Sequence, residues 1–180
     1  MSFLTPYISW LELLGRLLLA MILGAVVGWE REKQNKPAGL RTHMLVTLGA
    51  AAFVLSGLEL LDALSAQYER ARLDPTRVVE GVVGGIGFLG AGSIIQARGN
   101  VAGITTAASV WISGAIGAAC GMGAYLIAAV TALLTLITLG LLGVLERRYL
   151  PDPGVKAPKE EGGTPTSAAP VDVGSAKQGV

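Results

Sequence analysis

An all-α integral membrane protein, a bundle of five transmembrane helices followed by a disordered C-terminal tail, is the fold class that this sequence predicts. Three observations carry it. The 180 residues are 52% apolar and only 15% charged, whereas a soluble domain carries about 25% charged residues. The apolar residues fall in long blocks, and crossing the hydrocarbon takes about 20 mostly apolar residues. Glycine, alanine, serine and threonine recur within those blocks at helical spacing, the surface that lets membrane helices approach closely.

The first block, Trp10–Trp29, runs straight into Glu-Arg-Glu-Lys without a small-residue cleavage site, and no Lys or Arg precedes Arg16. It is expected to stay as a first span rather than be removed as a signal peptide. Pro37 and Gly39 break the chain before the second block, Thr42–Leu61. Residues 58–72 then place Leu61, Leu64 and Tyr68 on one side of a short interfacial helix. Asp74 and Pro75 suit a helix start, which opens the third block, Val78–Gln96. The fourth and fifth blocks are Ile104–Cys120 and Gly123–Leu145. Residues 1–150 therefore form one transmembrane domain. Residues 151–180 contain five of the eight prolines and few bulky apolar side chains, too little to offset ordering entropy, and are expected to be a disordered tail.

Lys and Arg near the span ends set orientation. Arg31, Lys33, Lys36, Arg41, Arg98, Arg147 and Arg148 fall on one side, and Arg70, Arg72 and Arg77 on the other. The bias predicts an outside N-terminus and a cytoplasmic C-terminus. The net charge of +1 and the lack of a basic cluster give no support to a nucleic-acid partner. Cys120, the sole cysteine, excludes an intramolecular disulfide.

Gly85, Gly87 and Gly90 match G-x-G-x-x-G, the dinucleotide fingerprint. That motif needs a preceding strand and an acidic residue about 20 positions on. After Glu80 the next acidic residue is Glu146, so no cofactor is expected. The glycines read instead as a helix-packing surface. Glu80, Gly84, Gly87 and Ala91 share one face, with Gly81, Gly85 and Gly92 beside it and Val82, Ile86 and Leu89 opposite. This predicts that the third helix is the centre of the bundle. Matching stripes are Ala20, Gly24 and Gly28 in the first helix, and Thr42, Gly49, Ala52, Ser56 and Glu59 in the second. In the fourth they are Thr105, Ser109, Ser113 and Gly117, and in the fifth Thr131, Thr135 and Thr138. Packing is the plain reading of these hydroxyls, and a polar path the sharper one.

Two intramembrane charges need partners. Arg16 lies one turn from Glu12 and shares its leaflet with Glu80, so a pair with either is expected; a snorkelling boundary pair is the alternative. At the inner face Glu30 and Arg31 close the first helix, Arg41, Thr42 and His43 begin the second, and Asn100 precedes Thr105 and Thr106. His43 lacks the companions that a metal site requires, and no metal is expected.

The stretches GWERE (28–32), PAGLRTHMLVTLGAA (37–51), GGIGFLGAGSII (84–95) and GITTAASVWISGAIGAACGMG (103–123) resemble the MgtC/SapB family of bacterial inner-membrane proteins, over roughly residues 11–145. The resemblance implies a five-helix membrane domain in the inner membrane, linked to growth at low magnesium and survival inside macrophages. It also implies a partner, since the best-known members are thought to restrain the F-type ATP synthase rather than carry magnesium. The motif positions it implies are Glu30, Arg31, Gly39, Leu40, Arg41, Thr42, Gly87, Phe88, Leu89, Gly90, Ala91, Gly92, Asn100, Gly103, Thr105, Thr106, Ala107 and Trp111, with His43 adjoining them. Two positions depart from the family's usual pattern: Ile104 where Leu is common, and Ala102 where Arg is common. Longer members add a folded cytoplasmic domain, so this chain resembles the short, SapB-like branch.

A non-enzymatic modulator of a membrane complex is therefore the leading expectation, with a small cation transporter or channel as the alternative. Magnesium prefers octahedral oxygen ligands, and Glu80 is the sole acid in spans three to five. Pooling ligands would require a homo-oligomer. No metal cluster or nucleophile–base pair points to an enzyme.

Overall fold

The computed structural model describes residues 8–67, 74, 76–97, 100–142 and 149. In chain order its elements are α1 (Trp10–Lys33), α2 (Leu40–Gln67), α3 (Thr76–Gly92), a hairpin of β1 (Ile95–Ala97) and β2 (Asn100–Ala102), α4 (Ile104–Gly121) and α5 (Tyr125–Ile137). A single wide π turn, Thr138–Leu142, extends α5. The predicted tail, Tyr68, Arg70, Arg72, Pro75, Arg98, Arg147 and Arg148 lie outside the described residues.

Local chemistry explains the boundaries. The Ser9 hydroxyl accepts from the Glu12 amide at 3.2 Å and starts α1. At its other end Asn35 adopts φ 53°. The Lys36 amide then reaches the Arg31 carbonyl at 3.1 Å and the Asn35 amide reaches Glu32 at 3.0 Å, a Schellman stop. The Glu32 carboxylate accepts from the Leu40 amide at 2.7 Å, so α1 caps α2. Asp74 accepts from both the amide and hydroxyl of Thr76, at 2.9 and 2.7 Å. These two bonds hold its carboxyl below the usual carboxylate range. The predicted start of the third helix is thus correct to within two residues.

Three helices are long and apolar enough to cross a bilayer: α1, α2 and α4. At 1.5 Å per residue the 24 residues of α1 run about 36 Å and the 18 of α4 about 27 Å. Large apolar side chains such as Phe53, Phe88 and Leu126 stand on the outside of the bundle, the surface a lipid solvent requires.

Four expectations are corrected here. Leu61 and Leu64, expected on a separate interfacial helix, lie on the continuous α2, which runs to Gln67. The third helix ends at Gly92 instead of Gln96, and Ile95–Ala97 pairs antiparallel with Asn100–Ala102, Ile95 opposite Ala102. Three-residue strands are too short to register as alternation, which is why the pattern hid them.

The centre of the bundle is α4, not α3. Twelve of its 18 residues are buried, and it packs on α1, α2, α3 and α5. Its Ala, Gly and Ser positions cover most of the helix, so neighbours approach from all but one face, where Thr105, Ala108, Trp111 and Ala115 are exposed. In α3 the buried side is Val82, Ile86 and Gly90. Ile86 fills the space at Gly114, and Gly90 rests 3.4 Å from the Ala107 carbonyl by the reach of an added Cβ. Gly81, Gly84, Gly85, Gly87 and Gly92 meet nothing within 4 Å. Gly84, Gly87 and Gly92 therefore point away from the bundle, while Gly81 and Gly85 open onto a groove beside α2. Branched side chains fill a groove between helices, and glycine faces alone leave it unfilled.

The predicted α2 stripe also faces outward: Thr42, Ala52 and Ser56 are exposed. The packed face of α2 is His43, Thr47, Ala50, Ala51, Val54 and Leu55. The α1 stripe holds, with Ala20, Gly24 and Gly28 all buried. Gly24 abuts Thr47 from one side and Gly117 abuts the Thr47 backbone from the other, making Thr47 the junction of three helices.

Candidate functional site: a buried polar cluster at one end of the bundle

The ends of α1, α2 and α4 that lie beside the first loop and the hairpin bring the sequence motifs together. Arg31, on the last turn of α1, is 2% exposed, and His43, one turn into α2, is fully buried. Thr106, Ser109 and Ser113 of α4 close the cluster, buried to 3% or less. Gly24 and Gly28 of α1 and Gly117 of α4 let those helices close onto α2 around these side chains.

An Arg31 terminal nitrogen donates to the Thr106 hydroxyl at 3.1 Å, while Arg31 Nε is buried with no partner. Arg31 makes no ion pair among the described residues. A buried guanidinium without a carboxylate is costly, so this cation is held by packing against its own preference. Such a charge raises the energy of any second cation brought beside it.

His43 Nδ1 lies 2.8 Å from the Gly39 carbonyl and Nε2 lies 3.3 Å from Ser109 Oγ. A carbonyl only accepts, so Nδ1 carries a hydrogen. Ser109 also bonds the Thr106 carbonyl at 2.8 Å. Its one hydroxyl proton serves either Thr106 or a neutral His43 Nε2, not both. Ser113 and Thr47 close the network by donating to their own helices, at 2.9 Å to Ser109 and 3.0 Å to His43.

Beside this cluster, Glu30 accepts from Gln34 at 2.8 Å, and Gln34 also donates to the Leu139 carbonyl at 3.3 Å. This tie joins the end of α1 to the wide turn after α5, whose carbonyls are freed from regular α-helical bonding.

The expected site residues separate into groups. Arg31, His43 and Thr106 converge. Gly39 supplies the carbonyl for His43, and its neighbour Leu40 receives the Glu32 cap. Gly103, at φ 90°, turns the hairpin into α4 with its Cβ position against the Ser93 carbonyl. That conformation and contact admit only glycine without strain. Arg41, Thr42, Phe88, Gly92, Thr105 and Trp111 are exposed and take no part in the cluster. Gly87 is half-buried and open to the outside, while Gly90 packs on Ala107. Asn100 pairs with Ala97 in the hairpin. Sequence reasoning missed Glu32, Thr47 and Gln34. The Glu32 cap spans two helices, so no local pattern could reveal it.

At the opposite end, Arg16 pairs with Glu12 and donates to the Gly121 carbonyl at 2.7 Å. Of the two expected carboxylates Glu12 is the partner; Glu80 is exposed and does not pair with Arg16. Arg16 thus satisfies the carbonyl end of α4, where a cation is favoured. Thr135 and Thr138 donate to carbonyls one turn back along the chain, at 2.7 and 2.8 Å, which leaves their oxygens able to accept. Among the described residues no three His, Cys, Asp or Glu side chains gather as metal ligands.

The sequence pattern of the MgtC family matches residues 17–148, from α1 through the wide turn. Protein SrpB of Synechococcus elongatus is 40% identical over 158 residues, covering 79% of this chain and 81% of SrpB. YhiD of Escherichia coli K12, whose name proposes it as a magnesium transporter, is 39% identical over 140 residues, 77% of this chain and 64% of YhiD. Protein MgtC of Salmonella typhimurium is 44% identical over 109 residues, 61% of this chain and 43% of MgtC. The matched segment thus spans less than two thirds of YhiD and of MgtC. No solved structure matches the chain. With apolar helices built to cross a bilayer and a family match running the length of the bundle, this chain is a membrane protein of the MgtC family.

Proposed function

We propose that this chain is a non-enzymatic modulator in the bacterial inner membrane, docking by a helix face onto a larger membrane complex, the F-type ATP synthase, during adaptation to low magnesium or intracellular survival. In this reading α3 and α5 complete five spans. The N-terminus is outside and the C-terminus cytoplasmic, with Arg31, Lys33, Lys36 and Arg41 on the cytoplasmic side.

The observation that carries the reading is the outward glycine face of α3. Gly84 and Gly87 have no neighbour within 4 Å, so a partner helix can approach backbone to backbone there. Because α4 already occupies the centre, this face is not needed by the bundle itself. The polar cluster at Arg31 and His43 stiffens the end of the bundle from which such a face is presented.

Cation transport is the second reading, and the name of YhiD favours it. The unpaired charge of Arg31 opposes it by repelling a cation from the inner end.

Affinity purification of the full chain from membranes tests the proposal. ATP-synthase subunits are expected to accompany it, and to be lost with Gly84→Leu plus Gly87→Leu while Gly49→Leu has no effect. Magnesium flux in proteoliposomes containing this protein alone would overturn it.

A further inference from the structure

The start of α4 carries hydrogen-bond donors that the bundle leaves unused. Gly103 precedes the helix without a side chain, so no cap bond is made there. The first intrahelical bond runs from the Ala107 amide to the Gly103 carbonyl at 2.8 Å. The amides of Ile104, Thr105 and Thr106 therefore have no acceptor among the described residues. Free N–H groups and the helix dipole together favour an anion at such an end. Ile104 and Thr105 are exposed, so this turn is open to the outside.

A helix start alone selects no ligand; Arg31 does. It is 2% exposed, its Nε has no partner, and a terminal nitrogen donates to the hydroxyl of Thr106, the third residue of α4. The guanidinium is thus aimed at the uncapped turn from inside the bundle. Both neighbouring carboxylates are committed elsewhere: Glu30 accepts from Gln34 at 2.8 Å and Glu32 from the Leu40 amide at 2.7 Å. Thr106 Oγ1 accepts from Arg31, and its own hydrogen has no acceptor among the described residues. Three amides, one hydroxyl and a buried cation therefore converge as donors with no negative charge to meet them. A phosphate group, with several oxygens, suits such a set better than a carboxylate with two. The 18 residues of α4 run about 27 Å, close to a hydrocarbon core of about 30 Å, so its first turn lies at the level of lipid headgroups. Lipid phosphate and free phosphate both have access there.

We propose that the first turn of α4, backed by Arg31 through Thr106, is a binding site for a phosphate group. The phosphate oxygens accept from the free amides of the turn, and the Thr106 hydroxyl links them to the guanidinium. Arg31 supplies the opposite charge from beneath and stays buried. The site stands apart from the outward face of α3 and does not depend on docking there.

Thermal unfolding of the full, delipidated chain in uncharged detergent tests this, with inorganic phosphate, acetate or chloride added at equal ionic strength. Phosphate is expected to raise the wild-type melting temperature by several degrees, and acetate and chloride to leave it unchanged. The shift should vanish in Arg31→Met and Thr106→Val and return in Thr106→Ser. Thr105→Glu places a carboxylate on the exposed turn itself. It should melt above the wild type without phosphate and no longer respond to it, while Thr105→Gln keeps the response. Native mass spectrometry with added phosphatidylglycerol separates the two sources. If inorganic phosphate gives no shift, one lipid retained per chain and lost several-fold in Arg31→Met assigns the phosphate to a headgroup. An equal phosphate shift in Arg31→Met overturns the proposal, as does an equal shift with acetate. Absence of a phosphate shift together with lipid retention unaltered in Arg31→Met overturns it too.

Discussion

Two glycine-to-alanine substitutions, chemically identical, are expected to change stability in opposite directions. At Gly117 on α4, an added Cβ would lie within 2.8 Å of the Thr47 backbone. Backbone cannot swing aside, so α2 and α4 must separate. Overpacking of this kind costs about 1–3 kcal/mol. It acts at the junction where Gly24 presses on Thr47 from the other side, so relief towards α1 is blocked. At Gly84 on α3 nothing lies within 4 Å, and alanine gains only helix propensity, about 0.5–1 kcal/mol. A chain of this size shifts by about 2–4 °C per kcal/mol. Gly117→Ala should therefore lower the melting temperature by several degrees and Gly84→Ala raise it slightly. Fluorescence-detected thermal unfolding of both variants in one detergent reads the difference. Equal tolerance of the two, or a larger loss at Gly84, would refute the placement of α4 at the centre with the glycine face of α3 outside.

The remaining predictions concern the charged and polar groups. Arg31→Met should leave the bundle folded, because removing an unpaired buried cation relieves its desolvation; thermal unfolding in detergent should give a melting temperature no lower than the wild type's, and a clear loss would refute the cost assigned to this charge. Arg16→Ala and Glu12→Gln should be non-additive in thermal stability, whereas Arg16→Ala and Glu80→Gln should add, since Glu12 is the partner. Thr76 depresses the Asp74 carboxyl in the folded chain. Its capping contribution is thus fully present above the ordinary carboxylate value and is lost as pH falls through the lower folded value, below about 4. Amide exchange at Thr76 should accelerate over that range in the wild type and stay fast throughout in Asp74→Ala.

The composition and the block pattern were enough to define an all-helical membrane protein, because insertion into lipid demands long apolar runs whatever their neighbours are. The break between α1 and α2 at Pro37 and Gly39 and the start of α3 after Asp74 were legible because those signals act within a turn, whereas the ends of α2 at Gln67 and of α3 at Gly92 were not. The motif stretches marked Arg31, His43 and Thr106 individually, and the α1 stripe of Ala20, Gly24 and Gly28 was correctly read as a packing face. Tertiary structure alone decided which glycines are used. Small residues permit close approach but do not compel it, so the same spacing in α3 and α4 is compatible with either helix at the centre. Ile86 settles the matter by entering the space at Gly114, turning the α3 glycines outward. In the same way Arg16 had two equivalent carboxylates by sequence, and only the approach of α1 to the end of α4 joined it to Glu12 and Gly121. Sequence periodicity specifies the faces a helix has; the fit of side chains between helices selects the faces that meet.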